Sequence, residues 1–196
     1  MKASISQKTI LLVDLECTCN EVPPLPPEEM EIIEIGAVMG ILDRDCFELL
    51  DERQIYVHPQ WHRSLTPFCI GLTGIQQQDV DQATPLKDAV QLLEDWVAEY
   101  HIKTWGSWGK FDQRHFSSET GLKELQNPLE PLQHINIKQL FARKHGHRVG
   151  LARAIQLSGL EFLGRQHSGI DDARNIVQIL KNDHLLRAAI LSRAKL

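Results

Sequence analysis

Residues 9–18, TILLVDLECT, constrain this chain more than any other stretch. Ile10, Leu11, Leu12 and Val13 make a continuous apolar run of strand-forming residues, the pattern of a central strand buried on both faces. Where such a strand leaves the core stand two carboxylates, Asp14 and Glu16, with Leu15 between them. Residues i and i+2 of a strand project to the same side, so both acids converge on one spot at the carboxyl end of a sheet. Like charges this close raise each other's pKa unless something positive sits between them, and a divalent cation is the simplest occupant. Taken alone, the pair fits equally well the polar end of a strand entering a loop.

At 196 residues and 42% hydrophobic, the chain suits one full core and is short for two, so a single domain over residues 1–196 is expected. A formal charge of −5 argues against a large basic surface for gripping nucleic acid. Four acids gathered at a metal site would leave the remainder close to neutral, which predicts modest, salt-sensitive binding. Cys17, Cys19, Cys46 and Cys69 form no C-x-x-C pair and lie in or beside apolar segments, arguing against structural zinc or a disulfide framework and for a reducing cytoplasm. No stretch approaches the roughly 18 to 20 apolar residues of a membrane span, and MKASISQKT lacks the apolar region of a secretory signal.

Residues 20–29, NEVPPLPPEE, read as a stiff acidic loop, because Pro23, Pro24, Pro26 and Pro27 cannot donate to a sheet. The same segment also has the composition of a polyproline ligand. Residues 31–42 and 46–57 read as two strands around the turn Asp43-Arg44-Asp45, completing an antiparallel meander with the first. Residues 58–82 are irregular, with a helical turn at 67–70. Thr84 as N-cap and Pro85 as first helical residue open a helix whose stripe is Leu86, Ala89, Val90, Leu93, Trp96, Val97 and Tyr100. Residues 103–108 make a fourth strand, followed by a helix to Thr120 capped by Gly121. A fifth strand at 133–137, helices at 138–144 and 150–157, and one long final helix at 171–193 complete the expected fold. It is an α/β mixed five-stranded sheet, a three-strand antiparallel meander plus parallel strands, flanked by helices. Ligands of such sheets bind at the carboxyl ends of the strands, where Asp14, Glu16 and Asp112 all fall.

His167 to Asn175 reads HSGIDDARN. Ser168 and Asp171 have the form of a capping box, so a helix is expected to begin at Ser168, with Asp172 in its positive first turn and His167 just outside. The spacing suits a metal ligand beside a general base; by itself it also suits a capped helix after a surface histidine.

Together these segments give D-x-E at a strand end, Asp112 within WGKFD, and H-x-x-x-x-D at the head of a late helix. In these positions, and through DLECTC, EIIEIGAV, FCIGLTGI and HSGIDDARN, the sequence resembles the DEDDh 3′→5′ exonucleases of the RNase H-like superfamily, most of all the histone-mRNA and enhanced-RNAi exonuclease subgroup and its bacterial relatives. The resemblance covers nearly the whole chain and implies an RNase H-like fold. It implies that Asp14, Glu16, Asp112 and Asp172 hold two Mg²⁺ or Mn²⁺ ions, with Asp14 shared between them, and that His167 is the general base. It further implies that Leu15, Glu16 and His167, with Phe68, Leu72, Thr73 and Ile75, meet the terminal nucleotide. The substrate it implies is single-stranded nucleic acid, RNA favoured and DNA open, hydrolysed from the 3′ end to nucleoside 5′-monophosphates.

Two other readings stay open beside it: a DNA exonuclease of repair or proofreading type, and a non-catalytic RNA-binding regulator on the same fold. A zinc hydrolase built on the other histidines is more distant, since His58, His62, His145 and His147 lack ligand spacing. Arg143, Lys144, His145, His147, Arg148, Arg153 and Arg165 form a loose basic run that fits either a phosphate contact or a solvated face. Trp105 and Trp108 are expected in the core. No membrane association is expected, and no protein partner is implied.

Overall fold

The computed structural model describes residues 7–194, so most of the segment MKASISQKT lies outside the described residues. Its strands are β1 (Lys8–Cys17), β2 (Ile32–Leu42), β3 (Phe47–His58), β4 (Thr84–Pro85), β5 (Thr104–Ser107) and β6 (Gln133–Asn136). They form one sheet in the order β4-β3-β2-β1-β5-β6. β1, β2 and β3 are the antiparallel meander, while β5 runs parallel to β1 and β6 parallel to β5. The helices are α1 (Pro67–Thr73), α2 (Gln77–Asp81), α3 (Leu86–Glu99), α4 (Phe111–Leu122), α5 (Ile137–His145), α6 (Leu151–Leu157), α7 (Gly169–Asn182) and α8 (His184–Leu191).

The two-residue period of β1 sorts its side chains between two cores. Leu11, Val13 and Leu15 pack with Leu86, Ala89, Val90, Leu93 and Trp96 of α3. Ile10 and Leu12 pack with Ala173, Ile176, Val177 and Leu180 of α7. Asp14 and Glu16 continue the second series, so alternation alone turns both carboxylates toward the α7 side. Trp105 and Trp108 are buried in these cores, as expected.

α7 meets the sheet at very short range. A Cβ added to Gly36 would lie 1.9 Å from the Gly169 carbonyl carbon, and one added to Gly169 would lie 2.9 Å from the Asp14 carbonyl oxygen. Two residues without side chains thus let the head of α7 sit directly on β1 and β2.

Several boundaries differ from the sequence expectation. The sheet has six strands because Thr84 and Pro85 pair in parallel with Val57 and His58 at its edge, where a proline costs no ladder bond. Pro85, in an extended conformation, is therefore the N-cap of α3 and Leu86 its first residue. α4 runs through Gly121 and is capped by Lys123, because the left-handed residue that turns the chain is Glu124 (φ 54°). The long final helix breaks at Asp183, whose Oδ1 accepts the Leu186 N–H at 2.8 Å and starts α8 afresh. α7 begins at Gly169 with Ser168 as N-cap, but the capping box does not form, since Asp171 is engaged elsewhere.

Gly36→Ala is expected to destabilise the fold by about 2–3 kcal/mol or more, the cost of overpacking against backbone. Gly121→Ala, with nothing within 4 Å of its new Cβ, is expected to be neutral or stabilising by about 0.5–1 kcal/mol. Urea unfolding of the two variants measures both.

Candidate active site

Four acids and one imidazole reach a single cleft of about 340 Å³ at the carboxyl end of β1. Asp14 and Glu16 come from β1, and Glu16 is 8% exposed. Asp112 is the second residue of α4, carried past the end of β5, and its Oδ1 accepts the Leu15 N–H at 3.3 Å. Asp172 lies in the first turn of α7, its own N–H donating to the Ser168 carbonyl at 2.8 Å. His167 stands exposed before that helix in a left-handed conformation, φ 61°. Leu15, Cys17, Cys19, Leu72, Trp108, Gly109, Phe111 and Lys138 complete the walls.

The electrostatics are strained in the direction that favours a cation. Burial first, then the charges of Asp112, Asp172 and Glu16, push the Asp14 carboxyl well above the usual carboxylate range. Burial, Asp172 and Glu34 push Glu16 up to about 9. Asp172 is raised to about 7, chiefly by burial and against a stabilising bond from the His167 N–H. Burial also raises Asp112, opposed by its own N–H, the Ser107 hydroxyl and the Leu15 N–H.

A divalent ion fits this donor set. Asp172 Oδ1 is buried with no hydrogen-bond partner, the kind of orphaned acceptor that a cation satisfies. One ligand atom each from Glu16, His167 and Asp172 lie within 4.8 Å of one another, and among the described residues no other such group forms, including at the remaining histidines. Asp14 and Asp112 stand outside that trio but in the same cleft. Carboxylate oxygens are hard donors suited to Mg²⁺ or Mn²⁺.

Of the residues expected around a terminal base, Leu15 and Leu72 line the cleft. Phe68 is half-buried on α1. Thr73 and Ile75 are 2% and 3% exposed, and the Thr73 hydroxyl bridges the Cys69 carbonyl and the Ile75 N–H. They support the wall from behind. The basic run disperses: Lys144 and His145 bind Asp183, and Arg165 donates to the carbonyls of Gly71 and Leu72. Arg143, His147, Arg148 and Arg153 are exposed.

Sequence reasoning missed Glu34. It faces Glu16 across the β1–β2 pair, is 1% exposed, and its Oε1 accepts the Ile170 N–H of α7 at 2.9 Å and a bond from Gln54 Nε2 at 3.0 Å. Its signal was a carboxylate inside the apolar strand EIIEIGAV. A larger cavity of 620 Å³ lies by β3 and α3 and contains none of the expected site residues.

A mixed sheet carrying clustered carboxylates at its strand ends, beside an imidazole, has the donor set of a candidate divalent-metal site. Comparison with known proteins agrees: the family described as "Exonuclease" (RNase_T) matches residues 11–180, and the chain belongs to that family. Its relatives fall in the DEDDh, histone-mRNA exonuclease subgroup. Mouse 3′-5′ exoribonuclease 1 is 32% identical over 181 residues, 87% of this chain and 51% of the relative. Frog (Xenopus laevis) ERI1 exoribonuclease 2 is 30% identical over 192 residues, covering 87% of this chain and 27% of the relative. The chain thus spans about half the length, or less, of these curated relatives. Among solved structures, the nuclease domain of 3′hExo, a DEDDh family member bound to rAMP, superposes with a TM-score of 0.79 at 27% identity, over 98% of this chain and 94% of that one.

The raised carboxyls predict a pH signature. With folded pKa values of about 9 for Glu16 and about 7 for Asp172, against ordinary values of 4.5 and 3.8, the folded state keeps protons that the unfolded chain releases. The contribution of these two groups to metal-free stability is therefore fully present below about pH 4 and declines as pH rises from about 4 toward 9. Thermal unfolding in EDTA should show this decline, saturating Mg²⁺ should remove most of it, and Asp172→Asn should flatten the part below pH 7.

Proposed function

We propose that this chain, as one catalytic domain over residues 1–196, is a metal-dependent 3′→5′ exonuclease that releases nucleoside 5′-monophosphates from single-stranded RNA. The observation that carries this reading is the convergence of Asp14, Glu16, Asp112 and Asp172 on one cleft with His167 at its mouth. Asp14, Glu16 and Asp172, with Asp112, would hold two Mg²⁺ or Mn²⁺ ions. Bound there, the ions supply Lewis-acid polarisation of the scissile phosphate and charge stabilisation for in-line displacement.

The chain's own groups do the rest. His167 is exposed on a turn that no core packing holds, so its imidazole reaches an attacking water and removes the proton. Leu72 presents apolar surface to the last base, giving sequence-tolerant contact, while the Leu15 side chain is packed in the α3-side core. The Leu15 N–H is occupied by Asp112, so the backbone contact to the 3′-hydroxyl falls to Glu16. Preference for RNA rests on the subgroup, in which relatives are named exoribonucleases. Four free cysteines suit the reducing cytoplasm, where we place the protein; among the described residues no helix is long and apolar enough to cross a membrane.

Release of mononucleotides from 3′-labelled oligonucleotides tests the proposal. Asp14→Asn should abolish it, His167→Ala should reduce it about 10²–10⁴-fold, and EDTA should stop it reversibly. RNA should be degraded faster than DNA of the same sequence. Full activity in excess EDTA would sink the proposal.

A further inference from the structure

A second cavity adjoins the carboxylate cleft and carries charge of the opposite sign. It measures about 390 Å³, and its polar walls include Lys110, Gln113, His134, Asn136, Gln139 and Arg193. No Asp or Glu lines it, in a chain whose net charge is −5. Its neutral groups are firmly placed. Asn136 Oδ1 accepts the Gln139 N–H at 2.9 Å, and His134 Nε2 lies 2.9 Å from the Ser107 hydroxyl. Burial and the nearby Lys110 charge lower the His134 pKa to about 4, so this imidazole is an uncharged hydrogen-bonding group at neutral pH.

The cavity and the cleft are lined by neighbouring residues of the same two chain segments. Gly109, Phe111 and Asp112 line the cleft, while Lys110 and Gln113 line the cavity. Lys138 lines the cleft, while Asn136 and Gln139 line the cavity. The two chain segments that leave β5 and β6 thus turn some side chains to the reaction centre and their neighbours to the cationic space beside it. β6 is the last strand of the sheet, so no further strand closes that side.

We propose that this cavity is a second binding site, for the phosphodiester backbone of the nucleic-acid strand upstream of its 3′-terminal nucleotide. The inference rests on the exonuclease reading of the cleft, which requires a polymer to leave it. Each further nucleotide brings one negative charge away from the reaction centre, and the surface lined by Lys110 and Arg193 beside the cleft can receive it without repulsion. Gln113, Asn136, Gln139 and His134 offer neutral donors and acceptors to sugars and base edges. Such contacts position a strand without reading its sequence.

The test compares substrates with and without upstream phosphates: the p-nitrophenyl ester of thymidine 5′-monophosphate, an RNA dimer and an RNA octamer. In the double variant Lys110→Gln/Arg193→Gln, ester hydrolysis with Mn²⁺ should stay within about twofold of the parent. The fall in KM from dimer to octamer should shrink about tenfold, and the slope of log affinity against log salt should drop by about 0.7 per lost phosphate contact. Lys110→Arg/Arg193→Lys should restore both. An octamer KM and salt slope unchanged in the folded double variant would overturn the site. Absence of ester and RNA hydrolysis in the parent would instead count against the exonuclease reading. In that event, fluorescence anisotropy of a labelled octamer decides the site: weakened binding in the double variant supports it. Unchanged binding, or capture of an acidic peptide in place of RNA, overturns it.

Discussion

The close approach of α7 to the sheet, through Gly36 and Gly169, is the constraint on which the candidate active site depends. α7 delivers Asp172 and, just before it, His167. Its distance from β1 fixes whether Asp172 can share an ion with Glu16. With a side chain at Gly36 the head of the helix would have to lift, since a Cβ there falls inside the van der Waals envelope of the Gly169 carbonyl. The contact is reinforced by a polar bond in the same place: Glu34 of β2 accepts the Ile170 N–H. A buried carboxylate at a helix N-terminus is favourable to the helix dipole, so Glu34 anchors the element that the glycine pair admits.

That anchor has an electrostatic consequence. Glu34 contributes to the raised pKa of Asp14, Glu16 and Asp172, so the device that seats α7 also adds negative potential to the cleft. A fold optimised for stability alone would replace such a cluster by apolar groups. Retaining it makes sense where cations complete the site, because the repulsion that burdens the metal-free protein becomes attraction when they bind. The burial of Asp112 beneath the Leu15 N–H has the same character: the carboxylate is held in place by a backbone donor and kept dry.

What was legible in the sequence was what depends on local period. The i, i+2 placement of Asp14 and Glu16 follows from strand geometry, the apolar stripe of α3 from helical geometry, and the spacing from His167 to Asp172 from the start of a helix. What was not legible depends on contacts distant in sequence. The small strand β4 exists because β3 offers it an edge. The break between α7 and α8 occurs where Lys144 and His145 hold Asp183, and apolar periodicity carries no trace of that. Gly121 resembled a cap, yet the chain turns at Glu124. Glu34 was visible only as an acid out of place in a buried strand.

Asp171 and Asp172 show how adjacent identical residues are divided between structure and chemistry. Asp171 resembled a capping partner for Ser168, but its Oδ2 accepts the Arg165 N–H at 2.9 Å and its Oδ1 the Arg174 guanidinium at 3.0 Å. Arg174 reaches on to Glu52 of β3, lowering that carboxyl chiefly through the hydrogen bond. Arg165, held by its backbone to Asp171, donates its side chain to the carbonyls of Gly71 and Leu72 at the end of α1. One continuous set of bonds therefore runs from β3 through α7 to the loop of His167 and across to the wall that carries Leu72. Asp171 faces that network and Asp172 faces the cleft, because helical residues one apart point about 100° from each other. The His167 side chain is left exposed, while the residues two before it and four after it are tied into this set of bonds. In the proposed role of general base, an exposed imidazole can reach a reactant while the wall that carries Leu72 keeps its place.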